Sequence, residues 1–248
     1  MPSIGYHASH EQFAPDALLQ DVCAAEAAGF GAAGCSDHFM PWADVQGQSG
    51  YAWSWLGAAL QATRLPIGVV TAPGYRQHPA LVAQAAATLA QMYPGRFWLA
   101  LGSGERLNEH IAGGHWPGKE ERNARLRECA EVMRALWLGE TVDHDGRVRV
   151  EQAKLNTLPP VAPLLLGAAM TPETARFVAT WADGLITVSQ PRKKLRPIID
   201  AFRDGGGEGK PMRLQVKVSY DADEERAKAG AHEQWKMLMF DSDVLAEL

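Results

Sequence analysis

Residues 164–189, LLLGAAMTPETARFVATWADGLITVS, contain a complete strand–helix–strand pattern. The apolar run 164–166 leads through small residues into a segment with helical spacing, and a second apolar run follows at 185–189. Thr171 and Pro172 suit the N-cap and the first position of the intervening helix. An uninterrupted apolar run is typical of a strand covered on both faces, and two strands joined through a helix form a parallel pair.

The same alternation extends over the whole chain. It predicts strands at residues 4–8, 30–36, 66–71, 97–101, 164–166, 185–189 and 214–220. Helices are predicted at 15–28, 78–92, 120–138, 172–182, 192–203 and from about 224. The apolar helix stripes we expect to be buried are Leu18, Val22 and Ala25; Leu81, Ala85, Thr88 or Leu89, and Met92; and Leu126, Cys129, Met133 and Leu136. A hairpin around Asp145-Gly146 precedes the fifth strand.

Successive strand–helix units require a parallel sheet, which is either open or closed. An open nucleotide-binding sheet calls for G-x-G-x-x-G after its first strand, where this chain has His7-Ala8-Ser9-His10-Glu11. We therefore predict a (β/α)8 TIM barrel, formed as a single domain over residues 1–248. Because seven strands do not close such a barrel, we expect the eighth unit to be absent from this sequence.

Composition narrows the class of protein. The 248 residues are 46% apolar and carry a formal charge of −5, which argues against a nucleic-acid partner. No run approaches the roughly 18 apolar residues of a membrane span, and residues 1–4 lack the pattern of a secretory signal. Three cysteines without C-x-x-C spacing indicate free thiols in a reducing compartment. We expect a cytoplasmic enzyme that acts on a small molecule.

In a barrel of this kind, function belongs to the carboxyl ends of the strands. His38 follows the second strand, and its pKa near neutrality would let it take a proton from a substrate hydroxyl; bonding to a backbone carbonyl is the alternative. Asp37 need not orient His38, since adjacent side chains of a strand point to opposite faces. Trp42 either borders the site or packs beneath a loop.

The fourth strand is followed by Gly102-Ser103-Gly104-Glu105. Glycines allow a flat ligand to approach the backbone, and a buried Glu105 would have a raised pKa suited to a general acid. A carboxylate satisfied by helix-start amides is the alternative. Residues 168–171 could hold a phosphate at a helix N-terminus, although plain capping by Thr171 is the commoner use. We find no metal-binding motif and predict no metal.

Several motifs together resemble the luciferase-like flavin and deazaflavin oxidoreductases, close to the branch of F420-dependent glucose-6-phosphate dehydrogenase. They are His7-Ala8-Ser9-His10-Glu11-Gln12-Phe13, Ser36-Asp37-His38-Phe39-x-Pro41-Trp42, Arg76-x-x-Pro79-Ala80, Gly102-Ser103-Gly104-Glu105-x-Leu107-Asn108-Glu109 and Trp181-Ala182-Asp183-Gly184. The resemblance covers essentially the whole chain. It implies a (β/α)8 barrel, a homodimer, and a tricyclic cofactor ring at the carboxyl face.

Residue by residue, the resemblance implies that His38 is the base, Glu105 the proton donor and Trp42 the aromatic wall. It implies a cis peptide bond between Val69 and Val70 behind the cofactor ring. The remaining cofactor-binding residues that it implies are Glu11, Asp37, Asn108, Ala168, Ala169, Met170, Thr171 and Ser189.

Some positions depart from the family pattern. Relatives that use sugar phosphates have a Lys near Pro191, and relatives have glycines in place of Met170 and Thr171. Met170 and Thr171 could tighten the channel for the tail of the larger deazaflavin cofactor. The patterns His10-Glu11-Gln12-Phe13 and Gly47-Gln48-Ser49-Gly50 resemble a sub-branch regarded as using FMN, with F420 as the alternative cofactor. We predict an oxidoreductase that moves a hydride between this cofactor and a small organic substrate, with monooxygenase chemistry open to an FMN enzyme.

Two other functions stay open at this stage. One is a luciferase relative that binds its cofactor without turnover. The other is a phosphate-binding barrel isomerase or aldolase, for which Lys217 on the seventh strand is the candidate catalytic lysine.

Overall fold

The computed structural model describes residues 3–236 and contains one seven-stranded parallel sheet with the order β1-β2-β3-β4-β7-β8-β9. These strands are β1 (Gly5–Ala8), β2 (Ala32–Ser36), β3 (Ile67–Thr71), β4 (Phe97–Leu101), β7 (Leu164–Ala168), β8 (Gly184–Val188) and β9 (Met212–Gln215). The strands β5 (Val142–Asp145) and β6 (Arg149–Ala153) form a separate antiparallel hairpin. The helices are α1 (Pro15–Ala27), α2 (Ala52–Ala62), α3 (Pro79–Met92), α4 (Arg106–Glu109), α5 (Lys119–Trp137), α6 (Pro172–Ala179), α7 (Arg192–Phe202) and α8 (Glu224–Trp235).

The sheet curves into a nearly closed barrel, and the predicted barrel fold is confirmed. Each strand pairs in parallel with the next one in the sheet order, as crossover helices demand. Within residues 3–236 no strand lies between β9 and β1. The hairpin around Asp145-Gly146 is also confirmed, and so are the buried stripes of α1 and α5.

The helices and strands differ from the prediction in three places. Helix α2 was not predicted: Tyr51 provides no side-chain cap, and apolar residues lie on most faces of the helix, so it lacks a clear amphipathic period. In α3, Leu89 is buried as predicted, but Leu81 is 64% exposed and Met92 54%, whereas Val82 and Ala86, outside the predicted stripe, are buried. The buried face of α3 is thus shifted by one residue from the predicted stripe.

The third difference is the end of the seventh predicted strand, which lies at Gln215 instead of residue 220. Its partner β8 ends at Val188, which pairs with Gln215, so residues beyond Gln215 have no neighbour for a parallel ladder. The alternating apolar residues Val216 and Val218 are exposed. The last predicted helix, from about residue 224, is confirmed as α8, which begins at Glu224.

The barrel has two apolar layers that follow the strand alternation. Ile67, Val69, Leu99 and Leu165 face the surrounding helices, whereas Trp98, Ala100 and Leu166 face the barrel interior. Trp98 occupies space left by glycines on the neighbouring strands. A Cβ at Gly34 would lie 3.3 Å from the Trp98 ring, and one at Gly68 only 2.0 Å from it. The indole therefore fills the lower barrel, and the small residue Ala100 lies above it on the same face.

We expect Gly68→Ala to lower the free energy of unfolding by about 1–3 kcal/mol or more, because the added methyl overlaps the Trp98 indole. Gly57→Ala is the matched control. Nothing lies within 4 Å of a Cβ built at Gly57, which is inside α2, so alanine there should raise stability by roughly 0.5–1 kcal/mol. Urea unfolding measures both changes, and equal midpoints for Gly68→Ala and the parent protein would contradict this packing.

Candidate active site

Polar side chains from three strand ends meet at the carboxyl face of the barrel. His38 follows β2, Glu11 follows β1 and Glu105 follows β4. His38 Nδ1 lies 2.5 Å from Glu11 Oε1, and His38 Nε2 lies 3.9 Å from Glu105 Oε2. The imidazole thus stands between two carboxyl groups, one behind each ring nitrogen.

Glu11 is only 2% exposed and is held by neighbouring hydroxyls. Ser9 Oγ donates to Glu11 Oε2 at 2.7 Å, and Ser36 Oγ donates to Glu11 Oε1 at 2.8 Å. Burial acts to raise the pKa of Glu11, but the contact with His38 and the bond from Ser9 outweigh it and hold this pKa well below its usual range. Glu11 is therefore a buried, charged partner for the imidazole.

The pKa values of His38 and Glu105 are both raised, but for different reasons. Burial acts to lower the pKa of His38, but the contact with Glu11 and the charges of Glu11, Glu105 and Asp37 raise this pKa to about 9. Burial raises the pKa of Glu105 above its usual range, against the opposing effect of the His38 charge. Titratable groups with strongly shifted pKa values in one cleft are typical of catalytic sites.

Trp42 and Asn108 border this group. The Trp42 ring meets the His38 ring edge to face, with centroids 5.3 Å apart and planes at 88°. Asn108 is buried, and its Oδ1 accepts hydrogen bonds from the backbone amides of Phe39 and Met40 at 2.8 and 3.0 Å. Its Nδ2 donates to Glu105 Oε2 at 3.4 Å. Asn108 thus ties the loop that carries His38 to the start of α4.

Asp37 takes part in a different buried network. Its Oδ2 accepts from Trp53 Nε1 at 3.3 Å, from Thr71 Oγ1 at 2.8 Å and from Gln77 Nε2. Arg76 pairs with Asp37 at 3.3 Å and with Glu109 at 3.4 Å. Glu11, and not Asp37, is thus the direct partner of His38. This agrees with the opposite directions expected for adjacent side chains.

The cis peptide bond expected at Val69-Val70 is wrong, since every peptide bond within residues 3–236 is trans. Both residues stand in the regular parallel ladder of β3, paired with Cys35 and Ser36 of β2 and continuing to β4. Val70 packs with the interior residues and Val69 with the helix layer. Only Val70 therefore faces the barrel interior.

The residues implied to hold a phosphate tail lie together at the ends of β7 and β8. Ala168 is the last residue of β7, and Met170 is 42% exposed. The backbone amide of Ala169 donates a hydrogen bond to the carbonyl of Ile186, and that of Ser189 donates to the carbonyl of Gln215. Thr171 caps α6 by accepting from the Thr174 amide at 3.3 Å. The capping prediction for Thr171 is confirmed, and the phosphate role of these residues stays a prediction.

Other residues of this site were given no role from the sequence. Ser9 and Ser36 orient Glu11, while Arg76, Gln77 and Glu109 complete the network around Asp37. Ser9, Ser36, Arg76 and Glu109 belong to motifs that carry the family resemblance, and this was the available signal. Gln77 falls at an unspecified position of its motif and carries no such signal.

Two absences hold for the described part of the chain. No group of three or more His, Cys, Asp or Glu side chains among residues 3–236 has an arrangement that could hold a metal ion. Over the same residues, no helix combines the length and the apolar character needed to cross a bilayer.

The chain belongs to the luciferase-like monooxygenase family, whose profile matches residues 2–247. Among curated relatives, it is 40% identical over 237 residues to the F420-dependent glucose-6-phosphate dehydrogenase of Mycobacterium avium, an alignment that covers 90% of this chain and 70% of that protein. The enzyme of the same name from Beutenbergia cavernae is 39% identical, covering 98% of this chain and 75% of that protein.

Solved structures show the same fold. An F420-dependent secondary alcohol dehydrogenase in complex with an F420–acetone adduct superposes with a TM-score of 0.90 at 33% identity, covering 100% of this chain and 78% of that one. A type II Baeyer–Villiger monooxygenase from Pseudomonas putida in complex with FMN has a TM-score of 0.73 at 17% identity, covering 96% and 76%. The family resemblance predicted from the motifs is confirmed, and the protein is an oxidoreductase of this family.

We expect Asp37→Asn to destabilise the protein by about 3–5 kcal/mol, because it removes the charge that pairs with buried Arg76. Asp200→Asn is the matched control, since Asp200 pairs with Arg196 on the exposed face of α7 and should cost less than about 1 kcal/mol. Thermal and urea unfolding compare the two. Similar losses in both variants would contradict a structural role for the Asp37 charge.

The pKa of His38 should fall by more than one unit in Glu11→Gln, because the negative charge 2.5 Å from Nδ1 is removed. Glu105→Gln is the comparison variant and should lower it less, as Glu105 lies 3.9 Å from Nε2. Nuclear magnetic resonance titration of the imidazole measures both values. An unchanged His38 pKa in Glu11→Gln would show that the ion pair does not control protonation.

The raised pKa also links His38 to stability. Because the folded-state pKa of about 9 lies above the ordinary value of 6.5, protonated His38 adds stability that is complete below pH 6.5. This contribution is lost as the pH rises through about 9.

Proposed function

We propose that this protein is an F420-dependent oxidoreductase that moves a hydride between the cofactor and a hydroxyl or carbonyl carbon of a small organic substrate. The observation that carries the proposal is the His38 imidazole, held between Glu11 and Glu105 and bordered by Trp42. Membership of the luciferase-like family and identity of 33–40% to F420-dependent dehydrogenases support it.

Small residues lie on the strand ends beside these groups. Ala100 and Gly102 lie at the top of β4, and a Cβ built on Gly102 would meet nothing closer than 3.9 Å. The nearest atom to that Cβ is the Cβ of Ala168, at the end of β7. Two neighbouring strand ends thus present Ala100, Gly102 and Ala168, which are small enough for a flat ring to approach the backbone.

F420 is preferred here over FMN, which the resemblance to the sub-branch favoured. The relatives named as F420-dependent share 33–40% identity with this chain, whereas the FMN complex shares 17% and supports only the fold. The residues that would border the cofactor are Val70, Gly102, Asn108, Ala168 and Ala169. When bound, F420 supplies the site that accepts or donates the hydride.

His38 provides the accompanying proton transfer. Glu11 holds Nδ1 and leaves Nε2 facing the space near Glu105. With a pKa of about 9, the imidazole is charged at neutral pH and can donate a proton to a carbonyl oxygen as reduction proceeds. In the direction of alcohol oxidation, the neutral imidazole must accept the hydroxyl proton. The oxidation rate should therefore rise with pH up to about 9.

Glu105 and Trp42 have separate roles in this proposal. The raised pKa of Glu105 suits a carboxyl group that carries and releases a proton near the cofactor ring. Trp42 fixes the imidazole plane and excludes water from one side of it. A homodimeric state, a cytoplasmic location and a single domain over residues 1–248 stay predictions.

We expect purified protein to bind F420 more tightly than FMN and His38→Ala to lose roughly 10²–10⁴-fold in turnover, because the proton acceptor is removed. Absorbance titration measures the cofactor affinity, which should change little in this variant. Turnover is followed by the F420 absorbance with glucose 6-phosphate and with 2-propanol, the substrate classes suggested by the relatives' names.

The matched control for this test is His115→Ala, which removes an exposed imidazole in the loop before α5 and should leave turnover unchanged. Full activity in His38→Ala would remove His38 from the mechanism. Tight FMN binding without F420 binding would overturn the cofactor assignment.

A further inference from the structure

His7 is a partly buried imidazole near the end of β1. It pairs in the parallel ladder with Gly34 of β2. Side chains paired in this way share a face of the sheet, and a Cβ built on Gly34 would lie 3.3 Å from the Trp98 ring in the barrel interior. His7 therefore points into the barrel, beside a position that has no side chain.

Ser36 of β2 connects His7 to the candidate site. It is buried and stands two residues beyond Gly34, on the same face of the sheet and nearer the carboxyl end of the strand. Its Oγ lies 3.4 Å from His7 Nε2 and 2.8 Å from Glu11 Oε1. Glu11 Oε1 is also the oxygen that lies 2.5 Å from His38 Nδ1. A single row of contacts thus joins the two imidazoles through a hydroxyl and a carboxylate.

The donors and acceptors in this row have one consistent arrangement. The charged carboxylate of Glu11 accepts hydrogen bonds and cannot donate one, so the single hydroxyl proton of Ser36 is directed at Glu11. Toward His7, the Ser36 oxygen can then act only as an acceptor. His7 Nε2 must therefore carry a proton and donate it to Ser36 Oγ.

The charge state of His7 agrees with this arrangement. Burial lowers the pKa of His7 to about 4. The charge of Glu11 opposes this effect, whereas the charges of His38, His10 and Lys217 reinforce it. At neutral pH, His7 is thus an uncharged imidazole with its one ring proton on Nε2. It can orient the hydroxyl without adding a second cation beside His38.

We propose that His7 is a positioning residue that acts through the Ser36 hydroxyl. It keeps this hydroxyl directed at Glu11, so that the carboxylate stays fixed against His38 and Nε2 of His38 stays free for the substrate. Hydrogen bonds in a row also polarise one another, so the donation from His7 strengthens the bond from Ser36 to Glu11. This proposal rests on the proposed oxidoreductase function and adds a residue to its proton-transfer site.

The first test is nuclear magnetic resonance of the full chain with isotope-labelled histidine, with and without F420. At neutral pH, the ring nitrogens of His7 should report the neutral Nε2–H tautomer. The Nδ1 proton of His38 should resonate far downfield, because its bond to Glu11 is short and charge-assisted. In His7→Leu this resonance should move upfield, because the carboxylate is held less firmly. An Nδ1–H tautomer of His7, or an unchanged His38 resonance in His7→Leu, would overturn the proposal.

His7→Gln is the conservative variant, since its side-chain amide can donate to Ser36 in place of the imidazole. It should keep the His38 resonance close to that of the wild type. His110→Leu is the matched control, because His110 is an exposed imidazole that contacts backbone carbonyls of its own helical turn, and it should change nothing. Equal shifts in His7→Gln and His7→Leu would contradict a role for the donated proton.

The second test is steady-state kinetics with F420 and the alcohol that the wild type oxidises. We expect His7→Leu to lower kcat by about 3- to 10-fold, which is the usual effect of one lost hydrogen bond, and to leave KM and F420 affinity within about twofold. An unchanged kcat in His7→Leu, or an equal loss in F420 affinity, would overturn the positioning role.

A double-mutant comparison shows whether His7 acts through Ser36. In a Ser36→Ala background, His7→Leu should lower kcat by less than about a further twofold, because the hydroxyl is already absent. In a Ser9→Ala background it should keep its full effect, since Ser9 donates to the other oxygen of Glu11, Oε2. The same loss in both backgrounds would contradict the proposed row of contacts.

The two kinds of readout separate this proposal from the proposed function. If the wild type exchanges no hydride with F420, the oxidoreductase proposal fails, and the histidine resonances of the single and double variants decide the role of His7. If the wild type is active but His7→Leu changes neither the His38 resonance nor kcat, the positioning role fails and the oxidoreductase proposal stands.

Discussion

The contact between the His38 imidazole and the buried Glu11 carboxylate is the interaction on which the site depends. It joins the loop after β2 to the loop after β1, and it determines which ring nitrogen stays available for chemistry. Two serine hydroxyls also donate hydrogen bonds to the oxygens of this carboxylate. Because the group is buried, its charge acts strongly on the imidazole, and the proton of His38 is held to high pH.

Along the barrel axis, side chains fill the lower interior, whereas the polar groups of the site lie at the carboxyl ends of the strands. Trp98 fills the lower interior between glycines of β2 and β3, so the parallel strands can curve around a solid core. Above it, Ala100 in β4 and Gly102 just after β4 are small residues at the carboxyl end of the barrel. The Asp37–Arg76–Glu109 network then fixes the loops after β2, β3 and β4 from behind. Rigid loops around an open pocket are what aligned hydride transfer requires.

Much of the fold could be predicted from sequence because its signals are local. Apolar runs predicted β4 at residues 97–101, and Leu126, Cys129 and Met133 marked the buried face of α5. Prediction failed where no local signal exists. Helix α2 lacks a cap and a clear polar face, and the buried face of α3 is built from alanines beside Val82 that look no more apolar than exposed Leu81. The extent of β9 depended on where its neighbour β8 ends.

For the site, the sequence by itself determined the residue types and their positions after strands: His38, Glu105, Trp42 and Asn108 all follow from motif and spacing. Only the tertiary structure decided which groups touch. It placed Glu11 rather than the adjacent Asp37 against His38, and it brought Gln234 of α8 from the far end of the chain against Gln12 and Gln46. The physical reason is that spacing along one strand or helix follows from backbone geometry, whereas contacts between distant segments depend on how strands and helices pack together.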